Sequence, residues 1–212
     1  MDASGTSLQL NALLAEAGLE PLNEQTVSRF GTYLSLFLRW NARVNLSAIR
    51  DEKDIIYKHF IESIALARAL PRGISTLLDF GSGAGLPGIP IALCCPQIAV
   101  TLAESQGKKA AFLQEAVRIL GIRATVHAER AETLGVVFDC VVLRAVEKMP
   151  KAVAAAARLV GPEGYLALMT TLSRLNELKG VAGADFSWTS ERLFADTTGR
   201  IVAIGSRYSE RA

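Results

Sequence analysis

The sequence predicts an α/β fold: a mostly parallel, seven-stranded sheet with helices on both faces, closed by an antiparallel hairpin and preceded by further helices. Three observations predict it. The first seventy or so residues carry helical periodicity only. The middle of the chain then alternates short β-rich runs with helical stretches, the pattern of strands joined by right-handed crossovers. The last two β-rich runs, Phe186–Phe194 and Arg200–Arg207, are separated only by a turn around Thr197-Thr198-Gly199, so they must pair antiparallel.

The elements follow in order. From Val27, Phe30, Leu34, Phe37 and Val44 recur at threes and fours with Trp40 alongside, the apolar stripe of an amphipathic helix. A second stripe runs through Ile56, Phe60, Ile64 and Ala67, with Asp51 placed to cap it and Asp54 putting negative charge in its first turn. Pro71-Arg72-Gly73 ends that pattern. It divides an N-terminal helical extension, 1–72, from a second unit, 73–212, expected to fold as one compact body, and leaves open how tightly the helices dock on it. Strands are predicted at Thr76–Phe80, Ile98–Ala103, Ala124–His127, Phe138–Leu143 and Tyr165–Thr170, with helices including Lys108–Leu120 and Lys151–Val160 between them.

Composition narrows the function classes. The chain has 212 residues, half of them hydrophobic, enough for a full core. No apolar run approaches the roughly 20 residues of a membrane span, and Met1-Asp2-Ala3-Ser4-Gly5 lacks the layout of a signal peptide; a cytoplasmic protein without a membrane partner is expected. Cys94, Cys95 and Cys140 show no C-x-x-C spacing and there are two histidines, so no metal site is expected and the cysteines read as small buried hydrophobes. A net charge of +2 decides nothing by itself, and any nucleic-acid surface must come from local clustering.

The chemistry is concentrated in Leu77-Leu78-Asp79-Phe80-Gly81-Ser82-Gly83-Ala84-Gly85-Leu86-Pro87-Gly88, a strand that enters a glycine-rich turn and then a helix. Pro87 suits the first turn of that helix. Gly83-x-Gly85-x-x-Gly88 fits the dinucleotide fingerprint, which alone is a weak signal. Gly81-x-Gly83-x-Gly85 after an acidic strand end is instead the form found in S-adenosylmethionine-dependent methyltransferases, where Asp79 would sit near the cofactor's ammonium group. The antiparallel tail favours this second reading, a Rossmann-like class I methyltransferase, because dehydrogenases usually continue with parallel strands. Glu104 ends the next strand, where a carboxylate can accept hydrogen bonds from both ribose hydroxyls; a solvated strand-end acid is the plainer reading.

The acceptor is constrained by what is missing. Methylation of an exocyclic amine commonly uses an Asn/Asp-Pro-Pro-aromatic element after the fourth strand, and methylation of a pyrimidine carbon needs a cysteine nucleophile. Here that strand leads into Arg144-Ala145-Val146-Glu147, and Cys140 lies inside the strand. Guanine N7 fits better, because its lone pair is free and no proton need be removed before attack. Arg144 is placed to hold guanine O6 or a phosphate, with a surface or ion-paired arginine as the alternative.

At this point the chain resembles a known family, the bacterial small-subunit ribosomal RNA guanine-N7 methyltransferases (RsmG, also called GidB), over nearly its whole length. The matching elements are Trp40-Asn41 with Asn45-Leu46-Ser47; His59-Phe60-Ile61-Glu62-Ser63, with Glu where the family has Asp; and Gly81 through Pro90, the most distinctive string. Ser105, Lys108, Lys109, Phe112, Leu113, Arg130-Ala131-Glu132 and Asp139…Arg144-Ala145 complete the set. The resemblance implies S-adenosylmethionine as cofactor, with Gly81, Ser82, Gly83, Gly85 and Leu86 around it, Glu104 at the ribose, and Ala131 and Glu132 bordering the adenine. It also implies RNA or guanine contacts for Arg130, Arg144 and Arg200, and turns His59 toward the active side, although a histidine on an apolar helix face is by itself more often a packing residue. His127 has no such support and is read as structural. The implied partner is small-subunit ribosomal RNA or a ribosomal particle, met by a monomer.

One departure stands out. After the fifth strand the family usually has Lys-Gly, and this chain has Met169-Thr170, leaving Arg174 or Lys179 as possible substitutes. Three other functions compete: a methyltransferase for another RNA, a small molecule or a protein; an NAD-linked oxidoreductase, which would want a Tyr-x-x-x-Lys pair that is absent; and a non-catalytic RNA-binding module. The discriminator for an RNA partner is a basic face: Lys108, Lys109, Arg130, Arg144 and Arg200 should converge around one pocket.

Overall fold

A computed structural model describes residues 3–192 and 199–208. Its strands are β1 (Thr76–Phe80), β2 (Ala99–Ala103), β3 (Ala124–His127), β4 (Phe138–Arg144), β5 (Val160–Thr171), β6 (Phe186–Arg192) and β7 (Arg200–Arg207), in the sheet order β3-β2-β1-β4-β5-β7-β6. The first five run parallel, and β7 enters antiparallel between β5 and β6. The predicted sheet and terminal hairpin are therefore present; the expected Thr197-Thr198 part of the turn, and Leu193 and Phe194, lie outside the described residues. The strand order reverses beside β1, and the crevice at the carboxyl ends of β1 and β4 is where such sheets bind ligands.

Alternation along the strands assigns the two faces. Leu77, Cys140, Val142, Ala167, Met169 and Val202 join one buried cluster, while Leu78, Phe80, Val141, Leu143, Leu166 and Leu168 join the other. Helices α7 (Met149–Ala157) and α8 (Leu172–Ala182) cover the second face. The first face is covered by α5 (Gly88–Cys94), α6 (Gly107–Leu120) and the N-terminal helices α1 (Ala3–Glu16), α2 (Glu24–Val44), α3 (Glu52–Ile55) and α4 (Glu62–Ala69). Its apolar core runs without interruption from Leu10 to Val202.

Several elements differ from expectation, each for a local reason. Helix α2 begins before Val27, because Asn23 caps it by accepting from Thr26 N at 2.8 Å. Asp51 does cap α3, accepting from Asp54 N at 2.9 Å. Between α3 and α4, however, Ile56–Ile61 is a π-helical segment, whose wider turn the apolar spacing did not reveal. Pro87 stands at the N-cap of α5 rather than in its first turn. Strand β5 starts at Val160, where a helix end had been expected, and α8 was not anticipated.

Aromatic packing holds the N-terminal helices on the sheet. Tyr33 stacks on Phe60 at 5.1 Å between ring centres, and Phe30 lies 5.3 Å from the same ring. Phe112 of α6 receives Trp40 edge-on at 5.7 Å. The fully buried rings of Phe30, Phe60 and Phe112 contribute roughly 1.5–3 kcal/mol each. Tyr33 also donates its hydroxyl to the Ala84 carbonyl at 2.6 Å, so α2 touches the glycine loop directly. Among the described residues no helix is long and apolar enough to cross a membrane.

Replacing Tyr33 by Phe keeps the ring and leaves the Ala84 carbonyl without this donor. Urea unfolding should show a loss of about 1–3 kcal/mol, the cost of a buried polar group left unpaired; an unchanged midpoint would show that water replaces the hydroxyl.

Candidate active site

The site is assembled at the carboxyl ends of β1, β2 and β4. Gly81, Gly83 and Gly85 all have positive φ, from +56° to +82°. At Gly85 a side chain is excluded twice over, because an added Cβ would also lie 2.4 Å from Ile89 Cδ1. Gly88 is required for a different reason: its φ is ordinary, but a Cβ would sit 2.3 Å from Leu102 and 2.6 Å from Asp79 Oδ2. That close approach lets Gly88 N–H donate to Asp79 Oδ2 at 2.9 Å. Asp79 is 1% exposed, and burial pushes its carboxyl up to about 7, with the Gly88 N–H and Ser82 pulling it back. It anchors the loop from beneath and does not line the cleft; neither does Gly85.

The cleft above the loop has a volume of about 800 Å³. Its walls include Gly81, Ser82, Gly83, Leu86, Glu104, Ala131 and Glu132, so seven of the residues expected at the cofactor share one cavity. Glu104 accepts from Gly83 N at 2.9 Å through Oε2 and from Gln106 N at 2.7 Å through Oε1. It thus ties the glycine loop to the β2 exit while facing the cleft. Ala131 and Glu132 lie in a single 3-10 turn, Ala131–Thr133, braced by His127, whose Nε2 meets Thr133 Oγ1 at 2.8 Å. The structural reading of His127 agrees with this. Arg130 reaches solvent at the rim and pairs with Glu132.

A second cavity of about 340 Å³ adjoins the cleft, and His59, Arg144, Ala145 and Val146 line both. Register explains why charged groups gather there. Arg144 is opposite Met169 on β5, Met169 is opposite Val202, and Thr171 is opposite Arg200. The alternation that sends Cys140, Val142 and Met169 to the helical face sends Arg144 and Arg200 the same way, under the π segment.

Glu62, 3% exposed, receives both arginines: Arg144 Nη2 reaches its Oε2 at 2.9 Å, and Arg200 Nη1 bonds its Oε1. Arg144 also donates to the Lys58 carbonyl, to the His59 carbonyl at 3.4 Å, to Ser63 Oγ at 3.3 Å and to His59 Nδ1 at 3.1 Å. Its Nη groups are therefore committed to α4 and the π segment. A guanidinium only donates, so His59 Nδ1 accepts and the ring proton is assigned to Nε2, which donates to Ser47 Oγ at 2.9 Å. Burial, then Arg144, lowers the His59 pKa to about 4, and the ring is neutral near pH 7.

The basic residues expected around one pocket divide between two. Lys109, Arg130 and Arg144 line the cleft, Arg144 and Arg200 line the second cavity, and Lys108 lines neither. Lys148 and Lys151 at the cleft, and Lys58 and Arg174 at the second cavity, complete the set; Lys179 is not on either wall. Lys58, Lys148 and Lys151 were not foreseen, since polar lysines off the apolar stripes carry no periodic signal. Tyr33 was detectable, being three residues after Phe30 on the same stripe. Burial raises the Cys140 thiol pKa strongly, which leaves it unsuited to nucleophilic attack. Among the described residues no cluster of three or more His, Cys, Asp or Glu is placed to hold a metal.

Known proteins resemble this chain in sequence and in fold. A family model described as GidB, rRNA small subunit methyltransferase G, matches residues 26–198. A protein from Xylella fastidiosa (strain M23) named ribosomal RNA small subunit methyltransferase G is 40% identical over 174 residues, covering 80% of this chain and 81% of that protein. A protein of the same name from Stenotrophomonas maltophilia (strain K279a) is 41% identical over 159 residues, covering 74% of this chain and 73% of its own. Among solved structures, a putative O-methyltransferase from Klebsiella pneumoniae superposes with a TM-score of 0.62 at 18% identity, covering 98% of this chain and 99% of that one, a likeness of fold.

The His59 environment has a pH consequence. A folded pKa near 4 against an ordinary 6.5 means the unfolded chain binds the proton first, so stability present above pH 6.5 is lost as pH falls toward 4. Asp79, with its carboxyl raised, acts in the opposite sense between about pH 4 and 7, so the effect must be isolated by difference. Relative to His59→Gln, the wild type should lose about 2 kcal/mol of unfolding free energy between pH 7 and pH 4.5. A constant difference would mean that His59 is not held neutral by its surroundings.

Proposed function

The chain belongs to the GidB family of small-subunit ribosomal RNA methyltransferases, and from that premise we propose that it transfers a methyl group from S-adenosylmethionine to N7 of a guanine in small-subunit ribosomal RNA. One observation carries the reading: the glycine loop and Glu104 wall an 800 Å³ cleft that shares His59, Arg144, Ala145 and Val146 with a second cavity rich in basic residues. Donor and acceptor chambers meeting at one junction are what in-line transfer requires, because most of the rate comes from alignment.

The residues present fit the cofactor. Gly81 and Gly83, both at positive φ, wall the cleft with backbone, beside Ser82 and Leu86. Glu104 is placed for the ribose hydroxyls, and Ala131 and Glu132 for the adenine. Asp79 and Gly85 serve by shaping the loop from behind. When bound, S-adenosylmethionine supplies a methyl on a sulfonium, ready for displacement by an acceptor with a free lone pair.

What the chain contributes at the acceptor side is position. His59 and Arg144, locked to each other and to Glu62, hold the junction rigid, and neither need remove a proton when N7 is the nucleophile. Neutral His59, with its Nε2 proton directed to Ser47, is an orienting group rather than a base. Arg130, exposed at the rim, is the arginine of the expected trio that reaches out to RNA; Arg144 and Arg200 act through Glu62. In this reading the helical extension, 1–72, supplies the wall with Ser47, His59 and Glu62, and 73–212 the Rossmann-like frame. The protein works as a cytoplasmic monomer without a metal. The test is methyl incorporation from labelled donor into unmodified small-subunit ribosomal RNA, followed by mapping of the modified base; incorporation at a site other than guanine N7 would refute the acceptor, and binding of NADH instead of S-adenosylmethionine would refute the class.

Glu104→Gln removes the charge and keeps the shape. Calorimetry should show S-adenosylmethionine affinity reduced about tenfold or more, the scale of a hydrogen bond to a charged group. Undiminished affinity would remove Glu104 from the ribose.

A further inference from the structure

The second cavity has three arginines on its wall, and they are not equivalent. Arg144 has a side chain 14% exposed and both Nη groups engaged. Arg200 is paired with Glu62. Lys58, on the same wall, gives its ammonium to Asp54 at 2.9 Å. Arg174, the third residue of α8, is exposed and makes no side-chain hydrogen bond or ion pair among the described residues. It lines the cavity together with the uncharged Met169, Thr170 and Thr171.

Resting on the guanine-N7 reading, we propose that Arg174 is the cation through which the second cavity grips the RNA backbone, at a phosphate adjoining the acceptor nucleotide. A nucleotide entering this cavity must carry its phosphate past the mouth, because a cavity of about 340 Å³ holds little beyond one base and its sugar. Recruiting Arg144 or Arg200 to that phosphate would strip the buried Glu62 carboxylate of one of its two partners, which is strongly unfavourable. Recruiting Arg174 breaks nothing. Its planar fork can take two oxygens of a phosphodiester at once, and its place on the first turn of α8 sets it on a rigid element rather than a loop.

The test uses the full chain and small-subunit ribosomal RNA transcribed in vitro, which carries no modification. Equilibrium binding is measured over a range of KCl concentrations for the wild type, Arg174→Ala and Arg174→Lys, together with steady-state methylation and calorimetry with S-adenosylmethionine. A phosphate contact predicts that Arg174→Ala raises KM for RNA several-fold and leaves cofactor affinity unchanged. It also predicts a slope of log affinity against log salt shallower by about 0.7–0.9, with Arg174→Lys recovering most of that slope. An unchanged slope in Arg174→Ala, or weakened cofactor binding, overturns the proposal, since a purely structural arginine would not move the salt dependence. If the wild type binds S-adenosylmethionine but neither binds nor methylates this RNA, the guanine-N7 reading fails and the proposal falls with it. Methylation by the wild type with no effect of either variant refutes Arg174 alone.

Discussion

Glu62 is withdrawn almost wholly from water, and a carboxylate in that position costs several kcal/mol unless its charge is met. Two guanidinium groups meet it, Arg144 from the end of β4 and Arg200 from the start of β7. Because β4 and β7 flank β5, this one acid fastens α4 across three neighbouring strands. Arg144 spends its remaining donors on the π segment, and His59 is thereby fixed in tautomer and direction. The shape of the junction between the two cavities thus depends on a pairing that could not be half removed. Losing either arginine leaves charge buried with too little to balance it.

A second constraint lies in the loop that follows β4. Ala145 and Lys148 both have positive φ, at +48° and +53°, a conformation that costs non-glycine residues about 1–3 kcal/mol each. The loop nevertheless packs tightly, for a Cβ on Gly81 would meet Val146 at 3.2 Å. The glycine loop and the β4 exit are therefore shaped against each other. Strain of this kind persists only where the surroundings over-determine the backbone, and here those surroundings are the committed side chain of Arg144 on one side and buried Met149 on the other. The backbone is held where both cavities share a wall.

The frame was readable because periodicity and glycine spacing are local signals. The strands β1 to β4 fall within a residue or so of where alternation put them, and the loop from Gly81 to Gly88 needed no partner to be recognised. The π segment was hidden, since Ile56, Phe60 and Ile64 at intervals of four suit an α-helix, and spacing alone does not reveal the wider backbone turn. Helix α8 was hidden for a different reason: its polar sequence carries a weak apolar stripe, Leu175 and Leu178, which means little until the second face of the sheet needs covering.

Residue types and their order along the chain settle the sheet, the hairpin, the cofactor loop and the carboxylate that ends β2, because each depends on neighbours within one strand-turn-helix unit. The family resemblance adds His59, Arg144 and Arg200 as a set, without Glu62 as the acid that joins them. What that set does waits on register. A shift of one residue in β4 or β7 would turn its arginine to the opposite face, away from Glu62. Three-dimensional packing makes Arg144 and Arg200 part of the wall, places Asp79 under the glycine loop instead of in the cleft, and leaves Arg174 exposed on the wall of the second cavity. Charge balance across groups as much as 138 positions apart in the chain makes those choices, and no local pattern encodes them.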